Sequence, residues 1–210
     1  MPMRLQELHA ALVHYPIALL PIAVGADVLG ALTGSAALRQ VGRVGIALGA
    51  GSAVIAAAAG LIAQEAVEAD GHAHDVLVTH RNLNAGLVAL STGMAVYRAG
   101  VEEPGPVYLA AGMVAMGALG YSAYLGGHMV YELGVGIKDR GLNEERAPEL
   151  RADNLDEVGR IALENLGAGA RGAAAEIARG ELVPVLTRSR EPEDAGFRVE
   201  GDGTGVHIDA

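Results

Sequence analysis

Four long apolar stretches constrain the fold of this chain more than any other feature. They cover about residues 8–32, 41–63, 76–97 and 107–125. A helix needs roughly 20 apolar residues to cross a bilayer, and each stretch comes close to or exceeds that length. The connections between them are short and rich in glycine, proline or acidic residues, as turns are. The pattern predicts an all-α integral membrane protein, a four-helix up-and-down bundle.

Charged residues are concentrated near the C-terminus. Residues 1–137 carry five basic and nine acidic side chains, whereas residues 138–210 carry ten basic and sixteen acidic ones. This separation predicts a four-span transmembrane domain at 1–137 and a soluble acidic C-terminal tail at 138–210. The tail is expected to be partly helical, with a helix at about 155–179 and a small hairpin around 197–208.

Composition excludes several classes of function. The chain has no cysteine, which excludes iron–sulfur clusters and covalently attached c-type haem. Its net charge of −10 and the lack of a basic stripe argue against nucleic acid, so the expected partner is the lipid bilayer. No nucleophile elbow, phosphate loop or metalloprotease motif is present. An electron-transfer or accessory membrane subunit is therefore favoured over a stand-alone enzyme.

Six of the seven histidines are predicted to gather at one membrane face. Because successive spans run in opposite directions, the first and third begin where the second and fourth end. That face receives His9, His14, His72, His74, His80 and His128. Histidines within or beside spans are costly unless they are paired, ligated or hydrated.

Three interpretations of the histidines remain open. The leading one is b-type haem held by His14, His80 or His128, with His9 nearby. The second is a divalent, non-haem metal ion, and its predicted ligands are His72, His74, Asp75 and Glu65. In the third, the histidines carry no cofactor and stabilise helix ends in a structural or assembly subunit.

Other polar residues within the spans have simpler expected roles. Asp27 lies deep in the first span and is expected to pair with Arg39 or Arg43 at the opposite face, with a proton-relay role as the alternative. Asn82 and Asn84 follow His80 closely and are expected either to hold its imidazole in one tautomer or to cap and bridge helices.

Two sequence motifs resemble those of a known family. Residues 8–20 read LHAALVHYPIALL, and residues 126–136 read GGHMVYELGVG. Together they resemble a widespread bacterial family of four-span membrane proteins of unknown function, over about residues 5–137. The resemblance implies that His9, His14, His80 and the 126–136 motif are functional positions. The chain departs from the family pattern at His128, where glutamate is common, and at Gln64-Glu65, where Asp-Trp is common.

The family is commonly encoded near respiratory or cytochrome-containing genes, so the resemblance implies electron transfer, with respiratory or redox membrane subunits as partners. The expected location is the bacterial cytoplasmic membrane. The basic residues favour the histidine face as the cytoplasmic side, which places both termini there.

Overall fold

A computed structural model describes residues 3–136 and 142–187 of the chain. These residues form seven α-helices: α1 (Glu7–Leu12), α2 (His14–Thr33), α3 (Ala36–Gln64), α4 (Gly71–Gly100), α5 (Pro106–Tyr131), α6 (Leu155–Ala178) and α7 (Pro184–Thr187). No β-strand occurs among the described residues, which confirms the all-α prediction. The predicted hairpin around 197–208 lies outside the described residues.

The turn between α2 and α3 shows how the sequence ends one helix and starts the next. Gly34 ends α2 with a φ of 71°, a left-handed conformation that glycine adopts without steric cost. Ser35 then caps α3, because its side-chain oxygen accepts a hydrogen bond from the Leu38 N–H at 3.3 Å. Only two residues separate the helices, so α2 and α3 run antiparallel.

The four long helices contact one another in turn: α2 packs on α3, α3 on α4, α4 on α5, and α5 on α2. Small residues allow close approach, as predicted for helices in lipid. A Cβ atom on Gly49 would lie 2.7 Å from Leu20 Cδ2, and one on Gly45 would lie 3.0 Å from the Ala23 Cβ. We call the end formed by the starts of α1, α2 and α4 and the ends of α3 and α5 the histidine end, and the other the distal end.

Three of the helical segments are long and apolar enough to cross a membrane: Glu7–Thr33, Ala36–Gln64 and Pro106–Tyr131. They contain the first, second and fourth predicted spans. The third predicted span lies within α4. This helix is long enough to cross a membrane, but its mean hydropathy is too low for it to count among these segments. The reason is a run of polar residues, His80, Arg81, Asn82 and Asn84, at one end of the predicted span.

The long helices expose apolar side chains and bury polar ones. Val96 on α4 is 70% exposed and Val107 on α5 is 82% exposed, whereas Asp27 and Ser122 are buried. Water would disfavour such a surface, but lipid tails favour it. The distribution agrees with contact between these helices and the bilayer.

The C-terminal segment folds back onto the long helices. Its main helix, α6, matches the predicted 155–179 segment and packs on α3. Gly169 allows this contact, because a Cβ there would lie 2.5 Å from the Leu61 carbonyl oxygen. The short α7 packs on α4, where the Val185 N–H donates to Thr79 Oγ1 at 3.1 Å.

The N-terminus is also joined to this segment. Arg4 and Glu149 form an isolated antiparallel bridge. The Leu5 N–H donates to the Pro148 carbonyl at 3.1 Å, and the Leu150 N–H donates to the Met3 carbonyl at 2.8 Å. Residues 3–5 and 148–150 together therefore fix the start of α1.

Candidate functional site

His9 on α1 packs against the last turns of α3. Its Nδ1 lies 2.9 Å from the Ala56 carbonyl oxygen. A carbonyl oxygen only accepts hydrogen bonds, so Nδ1 must carry the proton and Nε2 the lone pair. Gly60 makes room for the ring, because a Cβ there would lie 3.0 Å from His9 Cε1.

His80 on α4 is held in the same way by α5. Its Nδ1 lies 3.0 Å from the Ser122 carbonyl oxygen, which again places the proton on Nδ1. A Cβ on Gly126 would lie 3.3 Å from His80 Cε1, so a glycine again permits the close approach.

Asn84 is the neighbour of His80 Nε2, whereas Asn82 bonds to the C-terminal segment. Its Nδ2 lies 3.2 Å from His80 Nε2, 2.7 Å from the His80 carbonyl oxygen and 2.6 Å from Ser122 Oγ. An amide nitrogen has only two hydrogens for these three acceptors. The contact with Nε2 is the longest, so the imidazole lone pair is the acceptor that Asn84 gives up most easily.

His9 and His80 come from different helices, α1 and α4. Each ring donates Nδ1–H to a backbone carbonyl of a neighbouring helix and keeps its lone pair on Nε2. Histidines that bind metals commonly have this arrangement, because the second nitrogen fixes the tautomer and the ring orientation.

His128 lies near the rim of the histidine end. Its ring stacks on Tyr124 at a centroid distance of 5.9 Å and meets His72 edge-on at 6.1 Å. Nδ1 is 3.0 Å from Glu132 Oε2, a contact that becomes an ion pair when the imidazole is protonated. The ring is therefore held by an aromatic face and a carboxylate.

His14 does not join the other predicted haem ligands. Its side chain is exposed on the outer surface of α2. Nδ1 lies 3.2 Å from the Ala11 carbonyl oxygen of the preceding turn. The expectation that His14 points inward beside His80 is not met, and His9 occupies the inward position instead.

The four predicted metal ligands are not assembled as a set. Within residues 3–136 and 142–187, the metal-binding side chains that come together are instead those of His74, Glu176 and Glu181. Glu65 instead faces Arg146, with 3.5 Å between Oε2 and Nη1, and His72 packs on His128.

The two glutamates were missed by reasoning from the sequence because they belong to the tail. Glu176 lies near the end of α6, and Glu181 follows that helix. In the sequence, nothing distinguishes either residue from an ordinary acidic residue at an exposed helix end. Only the packing of the tail on the long helices brings them to His74.

A buried ion pair lies at the distal end. Arg98 Nη2 is 2.8 Å from Asp27 Oδ1, and the Tyr108 hydroxyl donates to Asp27 Oδ2 at 3.0 Å. The prediction of Arg39 or Arg43 as the partner of Asp27 is therefore wrong. Arg39 contributes its carbonyl oxygen to Arg98 at 2.8 Å, while its own guanidinium reaches Glu103 at 3.2 Å.

These features define an all-helical membrane protein with polar groups buried at both ends of its long helices. Residues 6–139 match the model of a family described as a predicted membrane protein, DUF2231. The chain therefore belongs to this family, whose function is unknown, and the resemblance drawn from the two sequence motifs is confirmed. No curated protein and no solved structure matches the chain.

Proposed function

We propose that this protein is a membrane-embedded electron-transfer protein that holds b-type haem through His9 and His80. The observation that carries the proposal is the common orientation of the two imidazoles. Each donates its Nδ1–H to a backbone carbonyl and keeps on Nε2 a lone pair that can accept a hydrogen bond or bind a metal. His9 and His80 would hold the haem through their neutral imidazoles, and the bound haem would supply one-electron chemistry.

The protein's own contacts support ligation at this site. To hold haem, His80 Nε2 would have to give up its Asn84 contact, and Asn84 would keep its two shorter hydrogen bonds. Gly60 and Gly126 allow both rings to sit close to the helix backbones. The carbonyls of Ala56 and Ser122 would hold the two rings in place.

In this proposal α4 crosses the bilayer with the other long helices, giving a four-helix up-and-down bundle. α3 ends at the histidine end and α5 begins at the distal end, so the helix between them must travel the same distance. α4 places His80 beside Ser122 of α5 and Arg98 beside Asp27 of α2. Several of its polar side chains meet the other helices or the tail, among them His80, Asn82 and Arg98, while Val96 faces outward.

The proposed location is the bacterial cytoplasmic membrane, with the histidine end on the cytoplasmic side. Basic residues favour that side. By their place in the sequence, five basic residues belong to the histidine end: Arg4, Arg81, Lys138, Arg140 and Arg146. The distal end has three: Arg39, Arg43 and Arg98. Respiratory or redox membrane subunits are the proposed partners, because haem in a membrane bundle exchanges electrons with neighbouring complexes.

Absorbance spectra of the detergent-purified protein test the proposal. After expression with ample haem, we expect a Soret band and sharp α and β bands on dithionite reduction. His9→Ala and His80→Ala should each lose most of the bound haem, whereas His14→Ala should retain it because His14 is exposed. A featureless spectrum, or loss of haem in His14→Ala alone, would overturn the proposal. A featureless spectrum without bound metal would favour a cofactor-free structural subunit.

A further inference from the structure

A second group of metal-binding side chains joins the C-terminal segment to α4. His74 lies in the first turns of α4, Glu176 near the end of α6, and Glu181 just beyond α6. One ligand atom from each lies within 4.8 Å of the other two. His74 Nε2 and Glu176 Oε1 are 3.6 Å apart. The three side chains are partly buried between the two segments.

The spacing suits a small divalent ion. Zn²⁺ binds imidazole nitrogen and carboxylate oxygen at about 2.0–2.2 Å, so two ligands of a tetrahedral site lie about 3.4 Å apart. The His74–Glu176 separation of 3.6 Å is already close to this value. The third ligand atom would need to approach by at most about 1.4 Å, which a glutamate side chain accomplishes by rotation.

Two arginines lie beside the cluster. Arg81 Nη2 contacts Glu176 Oε2 at 2.5 Å, which leaves Oε1 directed toward His74. A carboxylate that binds a metal through one oxygen is commonly held by a donor at the other. Arg179 lies 3.4 Å from Glu181, but its side chain is exposed and can move into solvent. The arginines therefore lower the affinity for a cation without blocking the ligand atoms.

We propose that His74, Glu176 and Glu181 bind a divalent transition-metal ion, with Zn²⁺ as the representative ion and water completing its coordination. Imidazole nitrogen and carboxylate oxygen are both ligand types that Zn²⁺ binds, and three protein ligands leave a position for water. Because the ligands come from α4 and from the tail, the bound ion would fasten the C-terminal segment to α4. The site is separate from His9 and His80 and does not depend on haem.

Calorimetric titration with Zn²⁺ tests the proposal on the full-length protein, purified in detergent with a histidine-free tag and treated with a chelator. We expect one Zn²⁺ per chain. His74→Ala and Glu181→Gln should each weaken binding at least tenfold. His72→Ala is the matched control, two residues away and outside the cluster, and should bind as the wild type does. Equal weakening in His72→Ala, or wild-type affinity in both cluster variants, would overturn the proposal.

Trypsin cleavage after Arg179 provides a second measurement. Zn²⁺ should slow this cleavage in the wild type at least tenfold and leave it unchanged in His74→Ala. Protection by Zn²⁺ that persists in His74→Ala would overturn the proposal. The haem spectra of these variants should stay like that of the wild type, so the metal site and the haem site can fail separately.

Discussion

Asp27 and Arg98 are the residues whose burial most needs an explanation. Their side chains are 0% and 1% exposed, and they lie among helices that otherwise face lipid. Arg98 also donates to the backbone carbonyls of Val101 and Glu102 beyond α4. With the Tyr108 hydroxyl on Asp27, nearly every polar atom of the pair has a partner, which is what makes a buried charge pair tolerable.

Asp27→Asn should lower the free energy of unfolding by about 3 kcal/mol, because it leaves the Arg98 charge buried without a counter-charge. The matched control is Glu103→Gln, which removes the exposed partner of Arg39 and should cost less than about 0.5 kcal/mol. Unfolding titrations in mixed detergent micelles would measure both. Equal effects of the two substitutions would mean that the buried pair contributes nothing beyond a surface pair.

The histidines show what the sequence predicts at the residue scale and what it does not. Counting span directions was sufficient to assign the histidines to one face. It did not predict which side of a helix each occupies, because His9 and His14 are both on apolar helices with a weak amphipathic pattern. The structure turns His9 toward Ala56 of α3 and leaves His14 exposed. That choice depends on the packing of α1 on α3, which no local pattern in the sequence encodes.

At the scale of single helices, α3 is shaped by where its glycines lie. A Cβ on Gly42 would overlap the Asp27 carboxylate, and Asp27 cannot move away because Arg98 and Tyr108 hold it. Gly51 lies on the same helix, and a Cβ there would meet no atom within 4 Å. The two glycines therefore differ in environment although both belong to one Gly- and Ala-rich segment.

Gly42→Ala should destabilise the protein by about 2 kcal/mol, as overpacking of a close contact does. Gly51→Ala should be neutral or slightly stabilising, because alanine favours the helix more than glycine. Thermal unfolding of the two variants in detergent would compare them directly. Two equally harmless substitutions would show that α2 and α3 can separate enough to admit a methyl group.

Helix α4 illustrates the limit of hydropathy. The sequence predicted the ends of the other three spans within a few residues, except that α3 begins earlier and α5 ends later than expected. The polar residues of α4 lower its mean hydropathy, yet Asn82 and Thr79 bond to the tail and Arg98 to Asp27. A window average cannot distinguish a polar side chain that has a protein partner from one that faces lipid.

For the molecule as a whole, the tail is a packed part of the structure through residue 187. The Asn82 side-chain amide donates to the carbonyls of Glu181 and Leu182 at 3.0 and 2.9 Å. In addition, α6 packs on α3 and α7 packs on α4. The acidic composition of the tail did not predict this docking, because composition shows neither these backbone contacts nor which carboxylates find a partner on the long helices, as Glu176 does with Arg81.

Asn82→Ala should release this contact, because it removes two hydrogen bonds worth together about 2 kcal/mol, or a roughly 30-fold change in the opening equilibrium. Hydrogen exchange of residues 180–187 should speed up accordingly. Asn84→Ala is the matched control, because Asn84 bonds to His80 and Ser122 of the long helices, and it should leave this exchange unchanged. Identical exchange in the wild type and Asn82→Ala would mean that other contacts hold the tail.

The bridge between residues 3–5 and 148–150 has a consequence for biosynthesis. The ribosome delivers the N-terminus first, and the partners of Met3 and Leu5 emerge only after all the long helices. At ordinary rates of translation this delay is on the order of ten seconds. During that interval the start of α1, which carries His9, lacks its final anchor. This anchor at the histidine end therefore forms only after residues 148–150 have been made.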